Sequence, residues 1–289
     1  MSGGSVELDH LSLATTPVVA LHGEQPLWQG SGFLYLFQRG EDQFLYLVTN
    51  LHVLTGHPPG AKGRSAADHI AFHLRRSAEV SAEVRPVRVP LFTRQGRPVW
   101  LESASVPHAD VAAIPVPASV CSGCSINCID ASWASAGNSE PGPLTPVHAV
   151  AFPYGYHDRE NGLPLWQSGM LASEPAVDFG GDPCMAVELA AYPGTSGAPV
   201  FMLTQHQPPG AATQVASPVV MRRFLGVYAS PALEQGGGYP EAYCAQASPA
   251  AIARDAGGIG RIWRASVVED LVSSVDTAKW EREILADLP

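Results

Sequence analysis

Apolar and polar residues alternate in short runs along most of the chain, and turn-forming residues separate the runs. Val18–Leu21 is the first strand-like run. Residues 30–38 (GSGFLYLFQ) and 44–49 (FLYLVT) follow, separated by Arg39-Gly40-Glu41-Asp42, a pattern that predicts a β-hairpin. Further strands are predicted over residues 70–74, 84–92, 99–103 and 110–116, then over a shorter piece at 126–130. A second series covers 147–152, 165–174, 185–191, 198–203, 219–230 and 259–265, with spacers such as Pro-Tyr-Gly-Tyr, Gly-Gly-Asp-Pro and Gly-Gly-Gly. Strands without interleaved helices predict an all-β protein built from two barrels rather than an α/β fold. Only the tail has helical periodicity. Ser266 and Glu269 read as a Ser-x-x-Glu capping box, with Val267, Val268, Leu271 and Val275 on one face and Trp280, Ile284 and Leu285 as a continuation.

These runs divide the chain into a polar lead-in (1–16), a first β unit (17–116), a link rich in Ser, Gly, Pro and Cys that ends in the first strand of the second unit (117–146), a second β unit (147–265) and a helical tail (266–289). Composition agrees: 28 glycines and 26 prolines in 289 residues suit many turns, and 46% hydrophobic against 15% charged residues excludes a disordered chain. The net charge of −10, with no Lys/Arg run longer than two, argues against a nucleic-acid partner. No apolar run has the length of a membrane span, and the first residues lack the basic and apolar regions of a signal peptide. Together with an odd number of cysteines, this predicts a cytoplasmic protein.

The candidate chemistry centres on Tyr192-Pro193-Gly194-Thr195-Ser196-Gly197-Ala198-Pro199, a serine between glycines ahead of an apolar strand. Serine catalysis needs a base for the hydroxyl proton, an acid that orients the base, and N–H donors for the oxyanion. His52 follows an apolar strand in Thr49-Asn50-Leu51-His52-Val53, where Asn50 is placed to cap a short helical turn. Asp110 opens Asp110-Val111-Ala112. The order His, Asp, Ser excludes an α/β-hydrolase, which needs Ser, acid, His; His206 is the only histidine after Ser196 and no carboxylate lies between them. It also excludes the subtilisin order of Asp, His, Ser. The remaining histidines read as structural or solvated, and Gly30-Ser31-Gly32 lacks the Gly-Lys-Ser/Thr ending of a phosphate loop. Cys121-x-x-Cys124-x-x-x-Cys128 has the spacing of a zinc half-site, but loop and buried thiols are the plainer account, and no metal or other cofactor is expected.

On these motifs the chain resembles the chymotrypsin/trypsin-like serine protease family, particularly its bacterial HtrA-like branch. Three stretches reinforce the likeness: Gly30-Ser31-Gly32-Phe33, Trp166-Gln167-Ser168-Gly169 and Phe224-Leu225-Gly226-Val227-Tyr228. The resemblance implies two six-stranded antiparallel β-barrels with the site between them. It implies a catalytic triad of His52, Asp110 and Ser196, and an oxyanion hole formed by the N–H groups of Gly194 and Ser196. It places Ala190 at the base of the specificity pocket, with Tyr228, Ala229 and Ser230 as its walls. No carboxylate is among these four, so a small or apolar P1 residue is expected. Substrate is expected to add as an extended strand beside residues 225–230. Thr195 stands where the digestive enzymes carry the aspartate that pairs with a new N-terminus, so that activation route is not expected. The PDZ domains of HtrA proteins have no counterpart in these residues. The resemblance thus implies an intracellular endopeptidase of narrow specificity or one held under regulation. A protease-fold module that binds peptides or partners without turnover is the alternative.

Overall fold

In the computed structural model the described residues are 7–59, 61, 65–80, 82–137, 139–190, 192–206, 219–230 and 259–289. The Gly-Gly-Gly spacer at 236–238 lies outside them.

The chain opens with a helical turn, α1 (His10–Ala14), capped by Asp9, whose side chain accepts the Leu11 N–H. The lead-in is therefore ordered from this point. The first-half strands are β1 (Thr15–His22), β2 (Gln25–Arg39), β3 (Asp42–Thr49), β4 (His69–Arg75), β5 (Val84–Pro90), β6 (Leu101–Glu102), β7 (Ala112–Pro115) and β8 (Ile129–Asp130). They form one sheet in the order β5-β4-β1-β2-β3-β7-β6, with β8 added in parallel to β2. A short helix, α2 (Leu51–Thr55), follows β3. The β2–β3 hairpin turns where the sequence predicts, with Arg39 opposite Asp42 and Gly40 at φ 62°.

The second-half strands are β9 (Pro146–Ala151), β10 (Leu165–Leu171), β11 (Cys184–Leu189), β12 (Pro199–His206), β13 (Val219–Ala229) and β14 (Ile259–Arg264). They close into a six-stranded barrel, β10-β11-β14-β13-β12-β9. The predicted double-barrel, all-β architecture is present, with the first half formed by eight strands rather than six. The expectation for residues 126–130 is corrected: this piece does not start the second barrel. Its Ile129 is fully buried opposite Tyr35 of the first sheet, and a strand of two residues, Ile129–Asp130, carries no information about its partner strand.

The tail forms two helices, α3 (Ala265–Ser273) and α4 (Thr277–Leu285). Ser266 does not cap α3. The N-cap position belongs to Arg264, the last residue of β14, and Glu269 accepts the Tyr35 hydroxyl at 2.5 Å. The cap appears on α4 instead, where Asp276 accepts the Lys279 N–H at 3.0 Å. No helix among the described residues is long and apolar enough to cross a membrane.

Apolar side chains gather in three places. One cluster fills the first sheet (Leu47, Ile70, Phe72, Ile114) and another the closed barrel (Val147, Val187, Val200, Ile262). The third joins the two halves, bringing Phe33, Tyr46 and Val48 against Phe201, Phe224 and Trp263, with Val267, Val268 and Leu271 of α3 in the same mass. Burial of this surface at about 25 cal/mol per Å² is what fixes one half on the other.

Candidate active site

Strand register brings His52 to Asp110. Thr49 at the end of β3 lies opposite Ala112 at the start of β7. Residues just beyond that pair must therefore meet: His52 on α2, and Asp110 ahead of β7. The Asp110 Oδ1 accepts the backbone N–H of His52 at 3.0 Å, and its Oδ2 is hydrogen-bonded to the ring Nδ1. His52 is fully buried and Asp110 nearly so. Asn50 holds the N-cap conformation of α2, yet its side chain makes no capping bond. Its amide donates to the Asp110 carbonyl at 2.5 Å instead. The expected capping role of Asn50 is thus taken by the Asp110 carboxylate, an anion at the start of a helix, where exposed N–H groups favour it. Gly56, at φ 76°, ends the helix after a single turn and returns its N–H to the His52 carbonyl at 2.8 Å.

The serine loop lies between β11 and β12 and is clamped to the first sheet. Ser31, fully buried on β2, donates its N–H to the Ser196 carbonyl at 2.8 Å and its hydroxyl to the Gly194 carbonyl at 2.7 Å. The same hydroxyl accepts the Phe152 N–H at 2.9 Å. Thr49 donates to the Ser31 carbonyl at 2.7 Å. Gly30 sits where these parts converge: a Cβ there would lie 2.6 Å from Val53 and 3.0 Å from the Ser196 carbonyl oxygen. His52 and Ser196 are therefore next to residues that face the same glycine. Gly197, at φ 86°, admits no side chain, since its Cβ would fall 2.0 Å from the Ser31 carbonyl oxygen.

The loop's peptide groups are directed as well as held. The Pro193 carbonyl accepts the Tyr154 N–H at 2.6 Å. A trans peptide points its N–H opposite to its carbonyl, so the Gly194 N–H faces away from the Pro153–Gly155 turn. Among the described residues no hydrogen bond takes the N–H of Gly194 or of Ser196. The two donors expected for an oxyanion hole are uncommitted. Gly194, at φ 98°, has no room for a Cβ beside the Phe152 carbonyl, 2.6 Å away.

The four expected pocket residues have different surroundings. Ala190 is exposed, and its carbonyl accepts the Gln167 amide at 2.8 Å. Tyr228, expected as a wall, is enclosed in the closed barrel, its ring so close to Gly260 that a Cβ there would be 2.4 Å from it. Burial pushes the Tyr228 phenol well above its ordinary pKa. Ala229 is buried and Ser230 half-buried. The strand-addition surface expected at 225–230 is also corrected. From Gly226 to Ala229, β13 already pairs with β14 on one edge, while Tyr228 exchanges hydrogen bonds with Gly197 and Ala198 on the other. Ser230 lies beyond the pairing.

Among the described residues no group of three or more His, Cys, Asp or Glu is arranged to hold a metal ion. Cys121, Cys124 and Cys128 pack instead against the apolar core of the first sheet. Burial, then the neighbouring Cys124, raises the pKa of the Cys121 thiol; burial and then Asp130 raise that of Cys128.

Two contributors to the site were not legible in the sequence. Ser31 and Gln167 act on backbone groups more than a hundred and about twenty-five residues distant in the chain, respectively, so neither spacing nor residue type marks them. The one available signal is a serine set between two glycines inside an otherwise apolar strand at residues 30–32.

Comparison with known proteins identifies the family. Residues 30–207 match the family described as trypsin-like peptidase domain. No curated protein sequence matches the chain. Among solved structures, the inactive form of a serine-to-alanine mutant of Rv3671c from M. tuberculosis aligns at TM-score 0.45 and 12% identity, over 92% of this chain and 88% of that one. A serine endoprotease from Yersinia pestis aligns at TM-score 0.45 and 13% identity, over 91% of this chain and 62% of that one. The active form of the Rv3671c protease aligns at TM-score 0.44 and 14% identity, over 92% and 82%.

Proposed function

Since the chain belongs to the trypsin-like peptidase domain family and is a serine protease, we propose that it is an endopeptidase in which His52, Asp110 and Ser196 form the catalytic triad. The observation that carries this reading is the buried His52–Asp110 pair set against the clamped Ser196 loop. With Nδ1 committed to Asp110, Nε2 is the ring nitrogen that takes the Ser196 proton. The serine oxygen then bonds to the scissile carbonyl carbon. As the tetrahedral adduct collapses, the C–N bond breaks and His52 returns the proton to the leaving amine. Water, deprotonated by the same imidazole, releases the acyl group. Asp110 orients the ring and balances the charge it gains. The Gly194 and Ser196 N–H groups receive the oxyanion, a role worth about 3–4 kcal/mol per donor in serine proteases.

Ala190, with no carboxylate among Tyr228, Ala229 and Ser230, supports a small or apolar P1 residue. The substrate is a peptide bound in extended form. Reduced thiols at Cys121, Cys124 and Cys128 suit a reducing compartment and support a cytoplasmic enzyme of narrow specificity.

The test is covalent labelling with a fluorophosphonate probe. The protein is expected to take one label at Ser196, and Ser196→Ala is expected to take none while melting at the same temperature. A folded wild-type chain that stays unlabelled favours a partner-binding module without turnover and overturns the reading.

A further inference from the structure

We propose that Gln167 is a positioning residue that holds the oxyanion turn in its working shape through an uncharged hydrogen-bond clamp. The proposal rests on the endopeptidase reading and identifies what replaces a charged latch behind the nucleophile. The Thr195 side chain is completely buried beneath the turn. Its hydroxyl donates to Gln167 Oε1 at 3.0 Å and accepts the Tyr192 N–H at 3.3 Å. The other end of the Gln167 amide, Nε2, donates to the Ala190 carbonyl at 2.8 Å. One side chain thus ties the start of the loop, Ala190, to its middle, Thr195, between Gly194 and Ser196. The amide orientation is settled by its partners. A carbonyl can only accept, so the nitrogen faces Ala190 and the oxygen is left for the Thr195 hydroxyl.

The strand ladder explains why a side chain is needed at this point. β10 and β11 pair from Leu171–Val187 up to Gly169–Leu189, and the pairing stops there. Ala190 is the first residue past the ladder, and Gln167 supplies the bond that its carbonyl would otherwise lack. Gln167 itself is anchored, since its backbone lies opposite Ala149 of β9. From Ala190 the restraint passes to Thr195, and the Thr195 N–H bonds back to the Tyr192 carbonyl at 2.9 Å. No member of this chain carries a charge or titrates, so the turn does not depend on a freed N-terminus or on a pH-sensitive ion pair.

The experiment compares Gln167→Glu and Gln167→Met with wild type in the full chain. Two quantities are read at several pH values: the second-order rate of fluorophosphonate labelling at Ser196, and amide hydrogen exchange over residues 192–196. An ionised glutamate cannot donate to the Ala190 carbonyl, whereas a protonated one can. Relative to wild type at each pH, Gln167→Glu is expected to label at least about tenfold more slowly at pH 8 and to recover toward pH 5. Gln167→Met is expected to stay slow throughout, with an unchanged melting temperature. Exchange over 192–196 is expected to rise in step with each loss. Wild-type labelling rates and unchanged exchange in both variants overturn the clamp while leaving the endopeptidase intact. A wild type that never labels, with exchange still raised in the variants, overturns the endopeptidase and leaves the clamp standing.

Discussion

Asp110 gives one carboxylate two tasks, holding the His52 ring and capping the helix that carries it. In Asp110→Asn one oxygen remains to cap, but an NH₂ now faces either the ring or the backbone N–H. The ring nitrogen that should donate to Asp110 then meets a donor, and the imidazole is held in the wrong tautomer. Turnover on a peptide substrate is expected to fall by about 10³–10⁴-fold, read as kcat, with little change in KM. At this scale the sequence was most legible where function demands a residue type. His52, Asp110 and Ser196 could be singled out as candidates because only a few side chains can serve as base, acid and nucleophile, and their order excludes rival layouts. Ser31, Gln167 and the capping work of Asp110 were not legible, because each depends on where a distant backbone oxygen or N–H comes to lie.

The strands were readable as elements because a half-buried strand alternates its side chains, and turns punctuate this chain densely. Helix ends were less readable. Ser266 and Glu269 have the spacing of a capping box, yet the strand before α3 leads directly into it and Glu269 is drawn to Tyr35. That contact gives the docking of α3 a pH signature. Burial first, then the bond to Glu269 and its charge, push the Tyr35 phenol above its ordinary pKa. The folded state therefore favours the neutral phenol. Its contribution is complete below the ordinary tyrosine pKa of about 10 and is lost as pH rises beyond it. Tyr35→Phe is expected to cost about 1–2 kcal/mol at pH 7. It is also expected to flatten the decline of stability above pH 10, both read from urea unfolding.

For the whole molecule, the sequence implied an all-β chain of two β units, which the fold bears out. It could not show that the first unit uses eight strands, since pairing partners leave no trace in a run of two residues such as Ile129–Asp130. The contact between units also includes a titratable pair. His73 on β4 faces His157 from the loop that follows β9. Burial first and His157 second hold its pKa below the usual histidine value. The folded state favours neutral His73, so this share of stability is present above about pH 6.5 and is lost as pH falls below it. His73→Gln is expected to lower the steepness with which the melting temperature drops between pH 7 and pH 5. The apolar mass between the halves has one further consequence. Val267, Val268 and Leu271 complete a core whose other members include Phe33, Tyr46 and Val48, so the first half is finished only once residues 267–271 are in place. Synthesis adds these residues after the three proposed for the triad, so a nascent chain that lacks them is expected to be inactive.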